Sequence, residues 1–278
     1  LPYEEFVNKD LIHFSNYNLE RSIPSVMDGL KTSQRKILYS AFKRNLKSEI
    51  RVAQFAGYVS EHSGYHHGEA SLNDTIVGMA QDFVGSNNIA WFVPQGQFGT
   101  RLQGGSDAAS PRYIHTYLQP YIKHLVPEED FACLKYRDDD GIPVEPEWYA
   151  PILPMLLVNG CRGIGTGYST FIPSFNPKHL KGMLLKWLET GDGLDEMLVP
   201  WVRGFTGRIE MEKETECTLE GKLEKDTITE LPVGTWTADV REKLDDLVKD
   251  GKVRDYTDMS TDVNVCIKVK VDDAKVLD

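Results

Sequence analysis

The chain has 278 residues, 41% hydrophobic and 26% charged, with a net charge of −11: the balance of a globular protein with one large domain or two ordinary ones. No run approaches the ~18 apolar residues of a membrane span, and the opening LPYEEFVNKD lacks the basic and apolar regions of a secretory signal; without a Met, it reads as the start of an excised piece. Cys133, Cys161, Cys217 and Cys266 stand too far apart for C-x-x-C zinc pairs and read as reduced thiols of a cytosolic or nuclear protein.

In chain order, the first predicted helix runs from Thr32 to about Leu46. Ile37, Leu38, Ala41 and Phe42 share one face, and Thr32 or Ser33 caps the start. Its other face is basic: Lys31 to Arg51 holds seven Lys and Arg against one acid, Glu49. Residues 1–113 carry eleven basic and eleven acidic residues, so the whole −11 lies beyond residue 113. The basic stretch therefore reads either as a phosphate-facing surface or as a solvated helix face. A short helix is predicted over Glu49–Ser60 and another over Ala70–Phe83, where Leu72, Ile76, Met79 and Phe83 keep helical spacing before Gly85.

IAWFVPQGQFGTRLQGGSD mixes aromatic and β-branched residues with glycines and predicts short strands and a flexible loop. Helices followed by a small hairpin make a winged-helix pattern. Asp107 to about Leu125 reads as a further helix, with Pro111 in its first turn and Arg112 and Tyr113 near its N-terminus. The polar stretch YRDDDGIPVEPEWYAP marks a domain boundary. Beyond it come a buried apolar segment (PILPMLLVNG), a glycine-rich turn (CRGIGTG), a helix over Lys178–Glu189, alternating strands over Phe205–Glu230, a helix over Asp239–Lys249 and a strand over Val263–Val271.

Composition does not choose a nucleophile among twelve tyrosines. Tyr113 stands out because Arg112 precedes it, a helix start is predicted there, and a glycine-rich loop with Arg101 leads into it. A phenol attacks weakly at neutral pH, and cations or a positive helix end would favour its phenolate.

GSNNIAWFVPQGQFGTRLQGGSDAASPRYIHT resembles the nucleophile region of type IIA DNA topoisomerases of the eukaryotic kind. RSIPSVMDGLKTSQRKILY, YHHGEASL, VEPEWYAPILPM, NGCRGIGTG and ELPVGTWT are similar to further blocks of that family, in family order, over most of residues 1–240. The resemblance implies an α+β chain: a connector (1–13), a winged-helix domain with the catalytic tyrosine (14–148) and the incomplete start of a mixed α/β tower domain (149–278). It implies that Tyr113 attacks a DNA phosphodiester to form a 5′-phosphotyrosyl link, within ATP-dependent passage of one duplex through another. Arg112 would stabilise the phosphate in flight and His67 would help move a proton. Arg21 and Lys31 would grip DNA phosphates, with Arg35 and Lys36 as further contacts. Ile164 would wedge between base pairs, its glycines letting backbone approach DNA.

Ser106 stands where the family commonly has lysine, Asp74 where it has an amide, and Cys161-Arg162 where it has a small-acidic pair. The strand-rich region after 205 looks shortened. No Glu…Asp-x-Asp cluster or nucleotide-binding loop is present, and Asp138–Asp140 reads as a solvated loop. The implied Mg2+ and ATP would bind outside this piece, which alone would cleave poorly. Implied partners are double-stranded DNA and a second copy in a homodimer, with no membrane. The implied place is the nucleus for a eukaryotic source, or a host cell or virion for a large DNA virus. A non-catalytic winged-helix DNA-binding module and an acidic protein-interaction scaffold remain the alternatives. The first would need no Arg112–Tyr113 pair; the second would bind DNA weakly and with little salt dependence.

Overall fold

Helical turns run without a break from Tyr3 to Ser22 in the computed structural model, which describes residues 2–213 and 216–271: α1 (Tyr3–Phe6), a π-helical stretch (Val7–Leu11) and α2 (Ile12–Ser22). Large apolar side chains on this helix, Phe6, Leu11 and Phe14 among them, are exposed. The expected boundary between residues 13 and 14 falls inside it. The helix ends where Ile23 turns extended (φ −97°, ψ 125°), the conformation that the following Pro24 imposes on its predecessor.

Three amphipathic helices follow: α3 (Thr32–Lys43), then β1 (Ile50–Arg51), α4 (Val52–Ser63) and α5 (Glu69–Ala80). Ile37, Leu38 and Ala41 of α3 meet Phe55, Ala56 and Val59 of α4 and Leu72 and Ile76 of α5 in one core. Gly64 stops α4 in the left-handed region at φ +58°, where a residue without Cβ is unstrained.

The predicted helix over Asp107–Leu125 does not form. Residues 111–113 make a turn, β2 is His115–Thr116, and only α6 (Ile122–Leu125) is helical. The backbone is engaged elsewhere: β2 pairs with β1, and His115 and Gln95 exchange amide-to-carbonyl bonds of 2.9 and 3.0 Å. Val93 donates to the Tyr117 carbonyl and Gln119 to that of Trp91. Its donors are therefore used across paired segments rather than along a helix.

A 3-10 turn (Glu128–Cys133) leads to the hairpin β3 (Tyr136–Asp139) and β4 (Ile142–Pro146), so the acidic run closes a hairpin rather than an open loop. Then come α7 (Met155–Asn159), the hairpin β5 (Cys161–Gly165) and β6 (Tyr168–Ile172), and α8 (Pro177–Thr190). The expected alternating strands form β7 (Arg208–Lys213), β8 (Glu216–Glu220), β9 (Lys222–Glu224) and β10 (Thr227–Glu230), followed by α9 (Thr237–Lys249), β11 (Asp255–Asp258) and β12 (Ile267–Lys270). Four of these make an antiparallel sheet in the order β11-β12-β10-β9. It packs with α9 over a second core of Leu231, Leu244, Val253, Val265, Ile267 and Val269.

The mixed α+β architecture matches the expected class. The first core, however, runs from Leu30 to Leu180, with Met155, Val158 and Phe175 inside it. Packing thus carries across the expected boundary at 148/149, and the second core begins only at Leu231.

Candidate functional site

Tyr113 projects from the 111–113 turn with 73% of its surface exposed, while the next residue, Ile114, is buried in the core. The turn is fixed at both ends. Val52 donates to the Ile114 carbonyl at 3.0 Å and Ala53 to that of Pro111 at 3.1 Å. These donors are first-turn amides of α4, which have no partner within their own helix. The helix end that sequence placed under Tyr113 is thus the start of α4, and carbonyls of the tyrosine's own turn occupy it. The Arg112 guanidinium lies 5.9 Å from the Tyr113 ring centre, the outer limit of a cation–π contact. Both side chains face solvent.

A second group of expected residues meets elsewhere. Arg21, Lys31, Lys36, His67 and Ile164 line one polar cavity of about 700 Å³, bounded by α2, the start of α3, the 64–68 corner and the β3–β4 hairpin. Neither Arg112 nor Tyr113 lines it. Tyr113 is tied to the first residues of α4, whereas His67 follows its last, and twelve helical residues rise about 18 Å.

His67 Nε2 lies 2.9 Å from the Tyr17 hydroxyl and its Nδ1 3.4 Å from Arg21 Nη1. Burial lowers the His67 pKa below its ordinary value, and the charges of Arg21, His66 and Lys36 lower it further. The imidazole is therefore neutral at pH 7 and able to accept a proton. We expect its proton NMR titration to have a midpoint below 6.5, moving upward in Arg21→Gln. Proton acceptance by His67 is complete above that midpoint and is lost as pH falls through it, so a pH-activity limb carried by this group lies lower than for an ordinary histidine. An unchanged or raised midpoint would contradict this electrostatic reading.

The structure divides the expected phosphate contacts. Arg35 is 3% exposed, and its Nε and Nη2 donate to the wholly buried Asp28 carboxylate at 2.7 and 3.0 Å, with a further bond to the Leu30 carbonyl. It has no face to offer a phosphate, which corrects the expectation for this residue. Lys36 reaches the cavity wall, but its ammonium is bound to the buried Glu145 at 2.8 Å and to the Ser63 carbonyl. Arg137 is paired with Glu20, and His66 lies 3.3 Å from Asp139. Arg21 and Lys31 are the cavity cations without a carboxylate at ion-pair distance among the described residues.

Ile164 stands in strand β5 rather than in a loop, 65% exposed. The glycines around it let the hairpin approach α2. A Cβ on Gly163 would lie 2.7 Å from the Ser22 carbonyl, and one on Gly165 2.8 Å from Leu19. Asn18 accepts from the Thr166 amide at 2.9 Å and fixes the hairpin tip. Close approach is thus what these glycines provide, toward α2.

Sequence reasoning missed Tyr17, because its partner lies 50 residues away and no helix was expected there. It also missed the link from His66 to Asp139. Among the described residues no group of three or more His, Cys, Asp and Glu is arranged to hold a metal ion, so their side chains offer no Mg2+ site. No helix among them is long and apolar enough to cross a membrane.

A family model for the DNA gyrase/topoisomerase IV A-subunit matches residues 21–278. The DNA topoisomerase 2 of Plasmodium falciparum is 47% identical over 285 residues, covering 99% of this chain and 20% of that protein. The DNA topoisomerase 2-beta of Gallus gallus is 46% identical over 288 residues, covering 99% of this chain and 18% of that protein. The mitochondrial DNA topoisomerase 2 of Dictyostelium discoideum is 49% identical over 271 residues, covering 95% and 21%. The chain thus spans about a fifth of the length of these relatives. A crystal structure of the P. falciparum topoisomerase II DNA-binding, cleavage and re-ligation domain superposes with a TM-score of 0.92 at 47% identity, covering all of this chain and 39% of that one. With the family model matched over nearly its whole length and the fold reproduced, the chain belongs to the DNA gyrase/topoisomerase IV A-subunit family, the type IIA topoisomerases its motifs resemble.

Proposed function

We propose that this chain supplies the nucleophile and part of the DNA-binding surface of a type II DNA topoisomerase, which passes one duplex through a transient break in another. The observation that carries this reading is the exposed Arg112–Tyr113 pair on a turn locked to the start of α4. In the reaction the Tyr113 oxygen loses its proton and bonds to the DNA phosphorus. The bond from phosphorus to the 3′ oxygen breaks, and that oxygen takes a proton and leaves as a hydroxyl. One phosphoester replaces another, so the reverse step reseals the strand without a nucleotide. Arg112 stabilises the charge that builds on the non-bridging oxygens. Arg21 and Lys31 hold backbone phosphates, and neutral His67 accepts or returns a proton. Ile164, exposed beside this cavity, serves as the apolar wedge that bends the duplex.

The two halves of this machinery lie at opposite ends of α4, which supports a site completed by a second copy: Tyr113 of one chain beside His67, Arg21 and Lys31 of its partner. The reading therefore includes a homodimer, cutting each strand once. Mg2+ and ATP belong, in this reading, to parts of the whole protein outside these residues, ATP driving strand passage rather than cutting. The winged-helix unit carries Tyr113 and the tower centres on the second core. We place its action in the nucleus.

The test uses full-length protein in mixed dimers of Tyr113→Phe and His67→Ala chains. A shared site leaves one intact centre, so the mixed dimer nicks one strand at the wild-type rate constant. Nicking at the slow rate of the His67→Ala homodimer would mean each chain completes its own site. Salt-sensitive binding with no adduct at all would favour a DNA-binding module without catalysis.

A further inference from the structure

The loop that delivers Tyr113 is gripped by the second packing unit. Within residues 97–109 the ends of the loop are tied together: Thr100 donates to Asp107 from its amide (2.8 Å) and its hydroxyl (2.6 Å), and Ala109 donates to the Gln97 carbonyl at 2.9 Å. Arg101 points out of this knot and is buried. Its Nη2 donates to Glu230, at the end of β10 and 2% exposed. Glu230 also accepts from the Thr206 amide and hydroxyl, both at 3.1 Å, and from the Leu231 amide at 2.9 Å. The first amides of α9 complete the grip, with Ala238 donating to the Leu102 carbonyl at 2.9 Å. Trp236 fills the space that any Cβ on Gly104, at φ +60°, would need.

A buried ion pair adds little net stability over apolar packing, but one with its lone pairs satisfied fixes a single arrangement. Here the arrangement fixed is that of the loop preceding the nucleophile against the β10–α9 corner.

We propose that the Arg101–Glu230 pair is a positioning device for the nucleophile, holding the 97–109 loop to the β10–α9 corner so that Tyr113 meets the phosphate at attack geometry. Arg101 and Glu230 act through the loop, at a distance from the reacting atoms. The inference rests on the reading of Tyr113 as nucleophile. It adds that cutting depends on the seating of the second unit, so that strain applied to that unit by bent DNA reaches the tyrosine.

The test is single-turnover cleavage at saturating DNA by full-length Glu230→Gln, which keeps shape and removes the charge. The expected rate constant is lower by about tenfold or more, since small misplacements of a reacting group carry such penalties, with DNA affinity within about twofold because phosphate contacts are untouched. Thr206→Val, which removes one neutral donor to Glu230, lowers it by about two- to threefold. A merely structural pair would reduce the active fraction and leave the rate constant of the folded fraction unchanged, which overturns the proposal. Should Glu230→Gln fail to fold, an unchanged rate constant in Thr206→Val does the same. A wild-type protein that forms no adduct on Tyr113 overturns both readings. A wild-type adduct with unaltered variant rates overturns the positioning role alone.

Discussion

Replacing Tyr113 with phenylalanine is expected to reduce covalent DNA cleavage by about 10⁴-fold or more, to the floor of the assay, because the attacking oxygen itself is removed. The same change leaves folding and binding intact. The side chain is 73% exposed, and its hydroxyl has no hydrogen-bond partner among the described residues. Substitutions at such positions shift stability by no more than about 0.5 kcal/mol. The ring under Arg112 is kept. Tyr168→Phe, another exposed tyrosine, serves as the control and cleaves normally. Cleavage, thermal unfolding and DNA affinity measured on the three proteins separate loss of chemistry from loss of structure. Persistent cleavage by Tyr113→Phe would move the nucleophile elsewhere.

The second large effect concerns stability. Asp28 is completely buried, accepting from Arg35 twice, from Leu30 and, across the fold, from the Tyr149 amide at 3.0 Å. Arg35→Ala strands that carboxylate without its cation, and removing one partner of a buried pair costs about 3–5 kcal/mol. For a protein of this size the unfolding midpoint falls on the order of 10 °C. Lys31→Ala, on the same basic stretch, behaves oppositely: the midpoint is unchanged, DNA affinity drops, and the salt slope shrinks by about one. Thermal melts and salt titrations of both variants decide the matter. A stable Arg35→Ala that binds DNA weakly would restore Arg35 as a phosphate contact.

That contrast shows where sequence reading stops. Ile37, Leu38 and Ala41 recur on one face, so α3 is legible, and α8 and α9 are found in the same way. Which cation of Lys31–Arg51 faces solvent is not legible, because it depends on Asp28 and on a backbone amide 121 residues away. The Asp107–Leu125 segment misleads for a related reason. Pro111 looks like a helix start, yet YIHTYL is a β-branched and aromatic run, and its partners Ile50, Arg51 and Gln95 come from earlier elements. Tyr113 and Arg112 are singled out by whole motif blocks, since composition does not choose one tyrosine among twelve. The separation of Tyr113 from His67 is a tertiary fact, visible only once both ends of α4 are placed.

Trapping full-length protein on duplex DNA with denaturant, digesting it, and mapping the covalently bound nucleotide by mass spectrometry locates the attacking residue. The expected product is an oligonucleotide joined through its 5′ phosphate to the peptide containing Arg112 and Tyr113, at the tyrosine. A link at another tyrosine, or a preparation that binds DNA tightly and carries no link at any residue, would contradict it.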